Sequence, residues 1–144
     1  MEIQNYQETQ GLKLNELAVV YLKESAKWSM FLAIMGFIGI GFMLIASIFV
    51  GLLFSSRMPY GGFLSLIYIV MSILYFFPIY YLYKYSTDVK NSLLVNDEEG
   101  LSKAFGYLKS HHKFLGISII VFISLYILLI FGFLIFGISS LTKI

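Results

Sequence analysis

The sequence predicts an all-α integral membrane protein: three transmembrane helices plus two cytoplasmic amphipathic helical segments. Three observations carry this. Hydrophobic residues make up 59% of the 144 residues and charged residues only 12%, against roughly 45–50% and ~25% in a soluble domain. Residues 28–56, 58–83 and 114–142 contain no charged side chain, and each run exceeds the ~20 residues a helix needs to cross a ~30 Å hydrocarbon core. The lysines gather on alternate connections, as they do in a chain threaded back and forth through a bilayer.

The chain divides into a polar tail over 1–13, an amphipathic segment over 14–28, a three-helix membrane domain over 29–138 and a short tail over 139–144. The spans are placed at about 29–54, 62–83 and 115–138. All three runs are continuously apolar, without the alternation of a membrane barrel, and lipid tolerates no unpaired backbone, so each is read as a helix. The first 27 residues hold four Glu and three Lys. The apolar run that follows is too long for a secretory h-region of about 7–15 residues, so it is read as an uncleaved anchor. The first connection, with Pro59, Gly61 and Gly62, suits a tight turn, which makes spans one and two an antiparallel hairpin. The second connection, about 84–113, is longer and polar.

Charge sets the orientation. Lys13, Lys23 and Lys27 precede span one, and Lys84, Lys90, Lys103, Lys109 and Lys113 lie between spans two and three. Only Arg57 and Lys143 fall on the other side. The lysine-rich side is expected in the cytoplasm. This gives a multi-pass protein with its N-terminus on the cytoplasmic side and its C-terminus on the outer side of the membrane. Trp28, Tyr80, Tyr81 and Tyr83 stand where interfacial anchors belong.

Both cytoplasmic pieces carry an apolar stripe. Leu14, Leu17, Ala18, Tyr21, Leu22 and Trp28 share one in the first, and Leu101, Ala104, Phe105, Leu108 and His112 share one in the second. Asn96 followed by Glu99 reads as a helix cap with its third-position acid. Asp97, Glu98 and Glu99 are a helix start favoured by the dipole rather than a catalytic pair.

Longer runs resemble a known family. KWSMFLAIMGFI at 27–38 and LYFFPIYYLYKYS at 74–86 are similar to signatures of a family of small bacterial three-span membrane proteins described only as a domain of unknown function. So are Asn96 and Asp97 followed by Leu101, Ala104, Phe105, Leu108, Lys109 and residues 113–117. The resemblance spans roughly 14–135. It implies the three-span layout and carries no substrate, cofactor or catalytic residue.

No motif for phosphate, dinucleotide, zinc or an activated nucleophile is present. With no Cys in the chain, thiol chemistry is excluded. A net charge of +2 provides no basic stripe for nucleic acid. No catalytic, cofactor-binding or metal-ligating set is expected. Adjacent His111 and His112 point about 100° apart on a helix and make a poor chelate; they are read as interfacial polar groups able to sense pH. No ionisable residue falls within the three predicted spans, which argues against a proton-coupled carrier.

What remains is helix packing. Ser29, Ala33, Gly36, Ser47 and Gly51 form a small-residue stripe on span one, and Ser65, Tyr68, Ser72 and Tyr75 a mildly polar stripe on span two. Small residues let helices approach and hydroxyls bond across the gap, so these two stripes are expected to meet. Pro78, inside span two, is a candidate hinge or a static bend. The reading reached is a non-catalytic accessory or scaffolding subunit of a larger membrane assembly. Its partners are membrane lipid and other membrane subunits or further copies of itself, with no cofactor and no nucleic acid. The alternatives are a homo-oligomeric channel, lined by the span-two stripe, and a lipid-sensing or membrane-remodelling protein.

Overall fold

The computed structural model describes residues 14–54 and 61–141, with side chains over 14–53 and 62–135. The tail over 1–13, most of the first connection and the last three residues lie outside the described residues, as do Arg57, Tyr60 and Lys143. Three helices make up the described chain: α1 (Glu16–Phe54), α2 (Gly61–Val95) and α3 (Glu98–Leu141). Each is long and apolar enough to cross a membrane. This is the layout of a multi-pass membrane protein.

The helices are much longer than the bilayer requires. At 1.5 Å per residue they measure ~58, ~52 and ~66 Å. The expected amphipathic segments are therefore not separate helices. Residues 16–28 are the opening turns of α1, which runs unbroken to Phe54. The polar connection over 84–113 is the end of α2 and the start of α3, joined only by Asn96 and Asp97. Apart from Asn96 and Asp97 nothing in these stretches stops a helix, so each part continues its span instead of forming a separate helix on the membrane surface.

The ends are capped locally. Asn15 opens α1, its Oδ1 accepting the Ala18 N–H at 2.7 Å. At the α2–α3 turn, Asn96 adopts φ 53°, a left-handed conformation that Asn tolerates better than most residues. The Asp97 N–H then reaches back to the Ser92 carbonyl at 3.0 Å, the six-to-one bond that closes a helix C-terminus. Asp97 also starts α3, its Oδ1 accepting the Gly100 N–H at 3.0 Å. The cap expected at Asn96 is thus one residue later. Asn96 ends the earlier helix and Asp97 begins the next, because a carboxylate both accepts the free N–H and suits the positive end of the dipole.

α2 is the middle helix. α1 and α3 each pack on it and, among the described residues, not on each other. The buried core sits at the lysine-rich end rather than in the apolar middle. Ala26 of α1, Tyr85 and Val89 of α2 and Ala104 of α3 form it, with Leu22, Leu93, Leu101, Tyr107 and Leu108 packed around them. The face of α1 that goes inward is Ala26, Ser29 and Ala33. The bulkier stripe of Leu14, Leu17, Tyr21 and Trp28 stays exposed, since close approach of two helix backbones selects small side chains over large ones. On α3, Phe105 and His112 likewise lie on the exposed side.

Candidate functional site: the helix junction at Pro78 and His111

The α1–α2 seam is built from small residues and hydroxyls. At the basic end the Ser86 hydroxyl donates to the Ala26 carbonyl at 2.6 Å, and Ser25 Oγ lies 3.2 Å from the Tyr85 hydroxyl. Further along, Gly36 faces Ile79 so closely that a Cβ there would come within 2.7 Å of it. At the far end the Ser65 hydroxyl donates to the Ser47 carbonyl at 2.8 Å, and a Cβ on Gly51 would lie 3.2 Å from Ser65 Oγ. Ser29, Ala33, Ser47 and Ser72 are buried.

The span-two stripe divides. Ser65 and Ser72 turn toward the seam, whereas Tyr68 and Tyr75 stay exposed. The Ser72 hydroxyl bonds the Tyr68 carbonyl of its own helix at 2.8 Å. These residues share a spacing but not a surface. Beside them, Phe37 of α1 meets the rings of Phe76 and Tyr83 at 5.9 and 6.2 Å.

The α2–α3 seam is aromatic and polar. Tyr81 stacks on Tyr107 with ring centres 6.4 Å apart, and Tyr85 meets Phe105 at 6.3 Å. His111 Nδ1 lies 2.7 Å from the Pro78 carbonyl oxygen. A carbonyl only accepts, so the proton sits on Nδ1 and the imidazole is the donor. Pro78 is buried and leaves α2 helical on both sides. Lacking an N–H, it removes the donor that the Leu74 carbonyl would otherwise receive.

Of the expected anchors, Trp28 is exposed and edge-on to Phe31. Tyr80 is stacked on Phe76 and Tyr83 is exposed. Tyr81 is drawn into the α2–α3 seam, and Tyr83 meets Phe37 at the edge of the α1–α2 seam.

These contacts fix the relative height of the three helices. Gly36, Pro78 with Ile79, and His111 share one level. That level lies ~14 Å beyond Lys27 along α1 and ~9 Å short of Lys84 along α2, at 1.5 Å per residue. On α3 it falls between Lys109 and Lys113. The spans read from the sequence are free of ionisable residues along the chain, but α3 is offset so that its charged approach lies beside the apolar walls of the other two. An ionisable group at bilayer depth is costly, about 2.5–3.5 kcal/mol on insertion scales at a helix centre, and marks a site by default. The sequence offers no signal for this offset. The small-residue stripe of Ser29, Ala33, Gly36, Ser47 and Gly51 did not include Ala26, which lies in the same seam and one turn before Ser29 in the same spacing.

Two open recesses flank the α2–α3 turn. One is lined by Asp88, Asn91, Ser92, Asp97, Glu99 and Lys103, the other by Leu14, Val19, Leu93, Leu101 and Phe105 with polar neighbours. Among the described residues, no three His, Cys, Asp or Glu are grouped to hold a metal.

The model of a family of unknown function, DUF5362, matches residues 39–134. The chain belongs to that family. The DUF5362 match takes in most of span one, all of span two, the α2–α3 turn and most of span three. The similar runs at 74–86 and 96–117 lie within it, and the run at 27–38 precedes it. Both partners of the Pro78–His111 bond are inside the matched region. Comparison with curated proteins and with solved structures found no match.

Proposed function

We propose that this DUF5362 protein is a non-catalytic accessory or scaffolding subunit of a larger assembly in the bacterial inner membrane, its lysine-rich end in the cytoplasm. The observation that supports it is the state of α3. No side chain is buried through its apolar stretch, and every residue from 119 to 135 is exposed. α1 and α2 meet at points along their length, while the α3 residues are all exposed beyond Ser118 as far as Ile135. Spanning helices ordinarily pack one face through close van der Waals contact and interhelical hydrogen bonds. Tyr126, 65% exposed, carries a hydroxyl into this stretch. A second protein helix packed there would give α3 the neighbour that its own chain does not.

A pore is less well supported. Its candidate lining divides, with the Ser65 and Ser72 hydroxyls committed to helix carbonyls. Purification from native membranes in mild detergent is expected to yield a stable heteromeric complex that is lost when Leu125, Leu128 and Leu129 are replaced by Ala together. Recovery of free monomer from the unaltered protein would remove the support.

A further inference from the structure

We propose that the side of α3 turned away from α2 draws the phosphate headgroups of anionic phospholipid toward the bilayer centre, so that the leaflet at the basic end is thinner against α3 than against α1.

The argument starts from helix geometry. With 3.6 residues per turn, the α3 side chains that meet α2 are Ala104, Tyr107, Leu108 and His111, and those on the opposite side include Lys109, Lys113 and Gly116, with His112 at its border. Exposure agrees. Ala104 is buried and Tyr107, Leu108 and His111 are partly so, whereas Lys109, His112, Lys113 and Gly116 are exposed. His112 bonds its Nδ1 to the Leu108 carbonyl at 2.9 Å, which leaves Nε2 facing outward. A Cβ on Gly116 would meet nothing within 4 Å, so the turn above the lysines is open to a bulky group.

The opposite wall of the molecule at the same height is purely apolar. Between Lys27 and Gly36 on α1, the exposed side chains are Trp28, Phe31, Leu32, Ile34 and Met35. A flat boundary at the Lys27 level would hold Lys109, Lys113 and both histidines of α3, and nearer its edge Lys84 of α2, in hydrocarbon. A flat boundary at the Lys113 level would put five large apolar side chains in water. Lysines relieve such a conflict in part by extending their stems toward the headgroups. The remaining mismatch is taken up by local thinning of the bilayer, at modest cost per ångström. Two ammonium groups one turn apart, with an imidazole beside them, suit a phosphodiester. Anionic lipid adds attraction that zwitterionic lipid lacks.

The test uses the full-length protein, whose lack of Cys permits single labels. Nitroxides are attached to Gly116→Cys on α3 and to Phe42→Cys on α1, two exposed positions at closely matched height. Depth is read from relaxation by oxygen against a water-soluble relaxing agent, in vesicles of phosphatidylcholine alone or mixed with phosphatidylglycerol. The Gly116 label is expected to lie nearer the headgroups than the Phe42 label by on the order of 10 Å, the offset between the helices. The difference should shrink in Lys109→Gln/Lys113→Gln and grow with phosphatidylglycerol. Inorganic phosphate added to phosphatidylcholine vesicles should leave it unchanged; a shift there would assign the site to free anions and overturn the lipid. Equal depths would overturn the thinning. An unequal depth indifferent to both lysines and lipid charge would overturn the role of the headgroup.

Discussion

His111 of α3 donates its Nδ1–H to the carbonyl of Pro78 in α2 across 2.7 Å, and with that bond α3 is set at a height its own hydrophobicity would not choose. Beyond it Phe114 and Ser118 are still partly buried, and from Ile119 to Ile135 every residue is exposed. Loss of the donor in His111→Ala is expected to lower stability by about 1 kcal/mol, read as a lower thermal midpoint in detergent. His111→Gln, whose amide can still donate, should recover part of it. A spin-label pair on α2 and α3 beyond this level should show a broader distance distribution in His111→Ala; an unchanged distribution would mean that the aromatic contacts alone hold the register.

Gly36 sets how closely α1 approaches α2. A Cβ there would lie 2.7 Å from Ile79, so Gly36→Leu must push the hairpin apart, at a cost of about 1–3 kcal/mol. Gly51→Leu, where a Cβ would lie 3.2 Å from Ser65 Oγ, should cost less, because the approach is less close, though moving that hydroxyl gives up its bond to the Ser47 carbonyl. Gly39→Ala and Gly41→Ala meet open space and are expected to leave stability unchanged or to raise it by up to ~1 kcal/mol through helix propensity. Detergent melting of the four variants checks the order, and equal midpoints throughout would contradict the seam.

The α2–α3 turn makes its own prediction. Asn96, at φ 53°, should accept Gly without loss. Asn96→Val would force a β-branched residue into the left-handed region at about 1–2 kcal/mol. Asp97→Ala removes the acceptor for Gly100 N–H, at about 1 kcal/mol. Hydrogen exchange at residues 98–101 is the sensitive readout, with faster exchange expected in Asp97→Ala and Asn96→Val than in Asn96→Gly.

The core at the basic end should be the most sensitive part of the molecule. Tyr85, 1% exposed, fills the space between α1 and α3. Tyr85→Ala is expected to cost about 3–5 kcal/mol, and Tyr85→Phe only the contact with Ser25. Ser86→Ala removes the bond to the Ala26 carbonyl, at about 1 kcal/mol. Limited proteolysis at residues 84–113 reports directly, since opening the core exposes this stretch. Resistance in Tyr85→Ala equal to that of the unaltered protein would refute the assignment of the core.

Much of this architecture was legible because lipid imposes a simple rule. A charge-free run longer than the hydrocarbon is thick must be a helix, and residues 28–56, 58–83 and 114–142 say so without help. The Gly and Ser positions of span one also announced themselves, since close helix approach has few other solutions. The amphipathic segments misled for a physical reason. Leu14, Leu17 and Tyr21 recur at helical spacing whether a helix lies along a surface or simply continues its span, and only the absence of a break at residue 28 distinguishes the two. Asn96 and Asp97 both suit caps by chemistry; the backbone dihedral at Asn96 assigned each its role.

The sequence alone determined the number of spans, their helical state, the crowding of lysine at one end and the family signature, because each follows from local composition and spacing. Only the tertiary structure decided that α2 lies between the other two, that the core sits beside the lysines, and that His111 meets Pro78. Helix register is set by contacts such as Gly36 with Ile79 and Tyr81 with Tyr107, between residues far apart in the chain. A linear pattern constrains which face of a helix packs, and leaves open how far it slides along its neighbour.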